Sequence, residues 1–194
     1  MKRVVIVHCW SGFPEYCWYP NTKKELEDKG FEVKVPEMPD THLPKLSSWL
    51  PKLSQIAGVP NEDLFLVGHS LGCITILRYL EKLKDGEKVG GVVFVAGFTD
   101  DLSSTDPIED ELSNFFETPI LWDKIRISAN KFAAIYSDND PYVSLKYSNI
   151  FKEKLNAEII IKNNMGHFSG ELGNPESTTL LSVVAEEILN MAEK

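Results

Sequence analysis

Leu64-Phe65-Leu66-Val67-Gly68-His69-Ser70-Leu71-Gly72 runs straight into a long apolar stretch that ends near Leu83. The first part reads as a buried strand over Asp63–Val67. The last part reads as a helix over Leu71–Leu83, stopped near Gly86. Between them lies Gly68-His69-Ser70-Leu71-Gly72, a G-x-S-x-G pentapeptide. Chance alone would supply such a match roughly 0.06 times in a chain of this composition, so the pattern is suggestive and its setting makes it sharp. Strand, tight turn and helix form the setting in which a serine is lifted above the end of a sheet. The flanking glycines are needed where a side chain would strike neighbouring backbone. The start of the helix turns free N–H groups and a positive dipole end toward any negative charge forming there. A plain strand-to-helix turn capped by Ser70 is the rival reading.

Outward from this turn, apolar runs and amphipathic stretches alternate. Arg3–His8, Phe31–Val35, Val89–Ala96, Phe132–Ser137 and Glu158–Lys162 read as further strands. Asn21–Lys29, Leu46–Ala57, Leu145–Leu155 and Ser177–Met191 read as helices. Strands that alternate with helices predict an α/β fold, a three-layer α/β/α sandwich around a six-stranded, mainly parallel sheet. The expected domain is the whole chain, 1–194, with 97–126 as a cap or as an ordinary excursion holding a short helix.

The chain has 194 residues, 43% hydrophobic and 25% charged, as in one ordinary globular domain. A net charge of −9 repels phosphate backbones and anionic headgroups, so neither nucleic acid nor a membrane surface is an expected partner. The apolar run after Met1-Lys2-Arg3 stops at His8, too soon for a signal peptide, and no stretch approaches a membrane span. Cys9, Cys17 and Cys73 are odd in number and lack metal spacing, which fits a reducing, cytoplasmic setting without disulfides. No feature fixes an oligomeric state.

A serine hydroxyl needs a base. Of the four histidines, His69 lies inside the turn with its side chain expected to point away from that of Ser70, His8 is placed to shape the loop after the first strand, and His42 sits in a proline-flanked loop. His167, after the last strand in Met165-Gly166-His167-Phe168, is the candidate, because sites in parallel sheets form at the carboxyl ends of strands. The orienting acid is expected in Ser137-Asp138-Asn139-Asp140-Pro141-Tyr142-Val143, where Asp140 is favoured and Asp138 competes as a turn cap. The order Ser70, Asp140, His167 is the α/β-hydrolase order. Backbone N–H groups of Leu71 and Trp10 are the candidate oxyanion donors, although Cys9 stands where a glycine is common. Trp10, Phe13, Tyr16, Trp18, Phe115, Phe116 and Trp122 could line an apolar acyl site, with core or surface packing the favoured reading of any single one, and Asp100, Asp101, Asp106, Glu109, Asp110 and Glu111 form either an acidic mouth or, more commonly, a solvated loop.

These residues, with Phe115-Phe116-Glu117-Thr118-Pro119 and Trp122-Asp123-Lys124-Ile125, resemble the α/β-hydrolase superfamily, and within it the small serine hydrolases that include retinoblastoma-binding protein nine. The resemblance covers nearly the whole chain. It implies a compact sheet lacking the superfamily's first hairpin, and a Ser70–His167–Asp140 triad. No Leu-x-Cys-x-Glu sequence is present, so retinoblastoma-protein binding is not carried over. The expected function is cleavage of a small-molecule ester through an acyl-enzyme on Ser70, without metal or cofactor. An aminopeptidase or amidase using the same triad, and a non-catalytic binding module on a hydrolase scaffold, are the alternatives.

Overall fold

A computed structural model of the chain describes residues 1–100, 112–169 and 178–193. Six strands form one sheet: β1 (Arg3–Val7), β2 (Glu32–Lys34), β3 (Leu64–His69), β4 (Gly91–Val95), β5 (Phe132–Ser137) and β6 (Glu158–Lys162). Their order is β2-β1-β3-β4-β5-β6, and each neighbouring pair is parallel. Every residue of β3, β4 and β5 is buried, as expected of strands covered on both faces. The helices are α1 (Tyr19–Glu27), α2 (Leu46–Ala57), α3 (Leu71–Leu80), α4 (Trp122–Ile127), α5 (Lys146–Leu155) and α6 (Ser182–Ala192). Helix α1 packs with α6 on one side, while α2, α3, α4 and α5 follow one another on the other. The expected six-stranded parallel α/β architecture is the observed one.

Strand order reverses beside β1. The chain leaves β1 for β2 in one direction and then passes β1 to build β3 onward in the other. Loops leaving β1 and β3 diverge at such a point and open a crevice at the carboxyl ends of the strands. The first turn of α3 lies hard against β1 there. A Cβ on Gly72 would run into the carbonyl of Val7 and lie 2.9 Å from that of His8. One on Gly68 would lie 2.8 Å from both N and Cα of Cys73. Both glycines are therefore steric requirements of the turn, for the reason expected from the pentapeptide.

Several boundaries differ from those read in the sequence. Helix α1 starts at Tyr19, because Pro20 lies in its first turn, where a missing N–H costs no hydrogen bond. Helix α3 ends at Leu80, and Lys82 and Leu83 continue it only as tight turns onto Tyr79 and Leu80. Strand β4 is shorter than Val89–Ala96, since Gly90 bonds to Leu64 and Ala96 turns to φ +49°. Helix α6 begins at Ser182, not Ser177, and the carbonyl of Thr179 accepts from Asn21 Nδ2.

Of the 97–126 segment, residues 101–111 lie outside the described residues, and with them five of the six acidic residues considered for the mouth, Asp101, Asp106, Glu109, Asp110 and Glu111. Its later part is clamped. Buried Arg78 on α3 donates to the carbonyls of Phe115 and Thr118 and pairs with buried Glu81, which accepts from the N–H of Leu121. Phe115 is consequently core, and the segment ends in α4.

Replacing Gly72 by Ala forces backbone apart and is expected to cost about 3 kcal/mol of stability. Urea unfolding of Gly72→Ala reads this directly; a midpoint equal to that of the wild type would refute the close approach.

Candidate active site

Ser70 sits between β3 and α3 with φ +53° and ψ −114°, a strained backbone for a residue with a side chain. Its own N–H is held by the carbonyl of Val95 at 2.9 Å. Left-handed backbone gathers at this end of the sheet. Ser11 follows β1, Ala96 follows β4, and Asn164, Gly166 and Phe168 follow β6, all with positive φ. Strain of this kind persists only where the surroundings over-determine it, and it concentrates at functional sites.

The loops after β5 and β6 lock together residue by residue. Ser137 Oγ accepts from Met165 N–H at 3.0 Å, Asp138 Oδ1 from Asn164 N–H at 2.8 Å, and Asn139 Oδ1 from Gly166 N–H at 2.9 Å. Asp140 Oδ2 then accepts from His167 Nδ1 at 2.9 Å. Its other oxygen, Oδ1, accepts from the N–H groups of Tyr142 and Val143 at 2.9 and 3.0 Å. The Asp140 side chain is only 2% exposed and that of His167 12%, so water screens the contact little. Of the two competing aspartates, Asp140 meets the imidazole, whereas Asp138 braces the loop that carries it. Because the Asp140 carboxylate can only accept, Nδ1 of neutral His167 carries the proton and Nε2 keeps a lone pair.

His167 is tied to the turn at Ser70 through the intervening residue. His69 Nε2 donates to the carbonyl of His167 at 2.8 Å, and the two imidazoles lie 5.3 Å apart. On the other flank, the loop after β1 is shaped by His8, as expected. Its Nε2 accepts from Met38 N–H at 3.1 Å, so its Nδ1–H donates to the carbonyl of Cys9 at 2.8 Å. The N–H groups of Cys9, Ser11 and Gly12 are taken by Tyr19 Oη, Thr41 and Cys9 respectively. Trp10 N–H, between them, has no partner among the described residues. Leu71, as the first residue of α3, has no intrahelical acceptor for its own N–H.

His42 is exposed, as expected, and its carbonyl accepts from the Trp10 indole. The aromatics considered for the site divide. Trp18 and Phe115 are fully buried core residues and line no opening, because α1 and the Arg78 clamp draw them inward. Phe13 is exposed, and it packs on half-buried Tyr16 with ring centroids 5.3 Å apart. Sequence reading missed Tyr142, whose exposed ring stands edge-on to His167 at 5.2 Å. It also missed Tyr19 and the bracing roles of Ser137, Asp138 and Asn139. The density of side-chain acceptors in Ser137–Asp140 was the available signal for the brace. Among the described residues no group of three or more His, Cys, Asp or Glu side chains is arranged to hold a metal ion. Nor is any described helix long and apolar enough to cross a membrane.

The serine hydrolase family model matches residues 4–182. The chain belongs to the serine hydrolase family. This serine hydrolase is 31% identical over 172 residues to the YdeN protein of Bacillus subtilis strain 168, spanning 89% of this chain and 88% of that one. It is 29% identical over 168 residues to the serine hydrolase RBBP9 of Rattus norvegicus, spanning 86% and 84% of the two chains. The crystal structure of the B. subtilis ydeN product superposes with a TM-score of 0.90 over all of both chains, at 31% identity. Est1E of Butyrivibrio proteoclasticus, solved with ferulic acid, shares the fold with a TM-score of 0.74 over 100% of this chain and 90% of that one, at 14% identity.

The buried histidines set an acid limit on the fold. Burial pushes the His69 pKa down to about 3 and lowers that of His8. Above an unfolded-state pKa of ~6.5 both folded and unfolded chains hold these rings neutral, so the shift contributes nothing there. Below it the unfolded chain takes up a proton that the folded chain refuses, and stability falls as pH drops. For His69 alone the loss by pH ~4.5 is on the order of 2 kcal/mol. Unfolding of wild type and His69→Asn is to be followed from pH ~7.5 to ~4.5. A shallower slope in the variant is expected; equal slopes would count against a neutral buried His69.

Proposed function

We propose that this serine hydrolase cleaves a small carboxylic ester in two acyl-transfer steps at Ser70. The observation that carries the reading is the Asp140–His167 contact of 2.9 Å, beside a strained serine at the head of α3. His167 Nε2 removes the Ser70 proton as Oγ attacks the ester carbonyl. Asp140 holds the imidazole in the Nδ1–H tautomer and stabilises its charged form. The N–H groups of Leu71 and Trp10 receive the tetrahedral oxyanion, aided by the positive end of α3. His167 then protonates the departing alcohol. Water, deprotonated by the same nitrogen, attacks the acyl-enzyme and frees the acid and Ser70. Every step uses the chain's own groups and water.

The name of the rat relative supports serine hydrolase chemistry in the family and leaves the bond cleaved open. The strained, helix-headed serine and oriented imidazole would serve an amide as well. Paired rates on a p-nitrophenyl ester and the matched p-nitroanilide separate the two. Faster turnover of the ester is expected, and a preference for the anilide would make the enzyme an amidase.

A fluorophosphonate probe tests the nucleophile. Labelling is expected for wild type and should be lost in Ser70→Ala and fall steeply in His167→Ala. Asp140→Asn should lower kcat by about 10³-fold or more, and Asp138→Asn by less than about tenfold. A folded wild type that resists the probe would favour a binding module on this scaffold. The reverse ranking of the two aspartates would overturn the assigned acid.

A further inference from the structure

A chain of three hydrogen bonds runs beneath Ser70 from one side of the site to the other. Cys9 N–H donates to Tyr19 Oη at 3.1 Å, and Tyr19 Oη–H donates to His69 Nδ1 at 2.7 Å. His69 Nε2–H donates to the carbonyl of His167 at 2.8 Å. The direction of every bond is forced. A backbone amide can only donate and a carbonyl can only accept, so the one tyrosine proton must face Nδ1 and the one imidazole proton must sit on Nε2. Tyr19 and His69 are both fully buried, so no bulk water substitutes for a missing partner. The first bond holds the residue before Trp10, and the last holds the backbone of the base.

We propose that Tyr19 and His69 are positioning residues that couple the Trp10 loop to the His167 loop, setting oxyanion donor and base at one separation across Ser70. The inference rests on the proposed roles of Ser70, His167 and Trp10, and adds the part that holds them in register. Further along, Tyr16 of the first loop also meets Ser169 of the second, but the segments that carry Trp10 and His167 have otherwise different anchors. The loop after β1 leans on His8 and Thr41, and the loop after β6 leans on residues 137–140. Tyr19 and His69 join those separate anchors. His69 serves as a neutral relay. The groups facing it are Tyr19, His167 and His8, with the Trp18 ring 5.7 Å away, and none supplies a negative charge that would favour its protonation.

Tyr19→Phe removes one oxygen, keeps the ring in its packing, and leaves Cys9 N–H and His69 Nδ1 without partners. On an ester substrate, kcat per probe-titrated site is expected to fall roughly 10- to 100-fold with little change in KM. A boronic acid, which mimics the tetrahedral adduct, should lose affinity by the same factor. His69→Gln keeps a donor for the His167 carbonyl and should retain more activity than His69→Leu. Unchanged kcat per titrated site, or a loss explained wholly by fewer folded molecules, would overturn the inference.

A second measurement needs no turnover. Amide hydrogen exchange at Cys9 is followed in His69→Leu, which does not itself touch that amide. Exchange about tenfold faster than in wild type is expected if the chain couples the loops. Wild-type exchange at Cys9 would show that the coupling is absent, whatever the activity. Failure of wild type to label with the fluorophosphonate would instead strike the proposed function and leave this measurement standing.

Discussion

With no Cβ on Gly72, the first turn of α3 can rest directly on the carbonyls that end β1. Everything at the site is arranged around that approach. It brings the free N–H end of α3 beside the loop after β1. The chain turns sharply between β3 and α3 to make that approach, with Ser70 at positive φ. The turn is held in place by the Ser70 N–H bond to Val95 on the neighbouring strand. A larger residue at Gly72 would push helix and strand apart and shift the Ser70 turn from the end of β1.

The His167 loop depends on a different kind of fit. Imidazole on a surface loop would be free to turn, and its tautomer would be mixed. Here four consecutive residues of one loop, Ser137 to Asp140, meet four consecutive residues of the other, Asn164 to His167. Three of these bonds fix backbone and the fourth fixes the ring. Asp140 is in turn immobilised by the amides of Tyr142 and Val143, which spread its charge over three donors. These bonds hold the imidazole of His167 in one orientation and one tautomer.

Much of this was legible one residue at a time. Arg3–Val7, Leu64–Val67 and Phe132–Ser137 are apolar and end at turn residues, so their strands were readable locally, and β4 was readable from its valines. The pentapeptide was readable because its glycines answer a local steric demand. The meeting of His167 with the loop after β5 was readable from its position after the last strand. The choice between Asp138 and Asp140 was less so, since both are aspartates in the same loop and differ in which way the chain turns after β5. Which of the aromatics are core was not readable one by one; α1 and the Arg78 clamp bury Trp18 and Phe115, the ordinary reading of each. Tyr19 gave no signal, since nothing near it in the chain hints at a partner fifty residues away.

By itself, the sequence determined the alternation of strands and helices, the place of the serine turn and the chain order of Ser70, Asp140 and His167 at the ends of their strands. These follow from short-range rules: backbone sterics, burial of apolar faces and the conformational freedom of glycine. Only the tertiary structure decided which carboxylate reaches His167, and which buried pair joins the loops flanking Ser70. Those outcomes depend on hydrogen bonds between residues far apart in the chain, such as His69 with the carbonyl of His167. Such bonds have a useful geometry only after the sheet has assembled and its strand ends have come together.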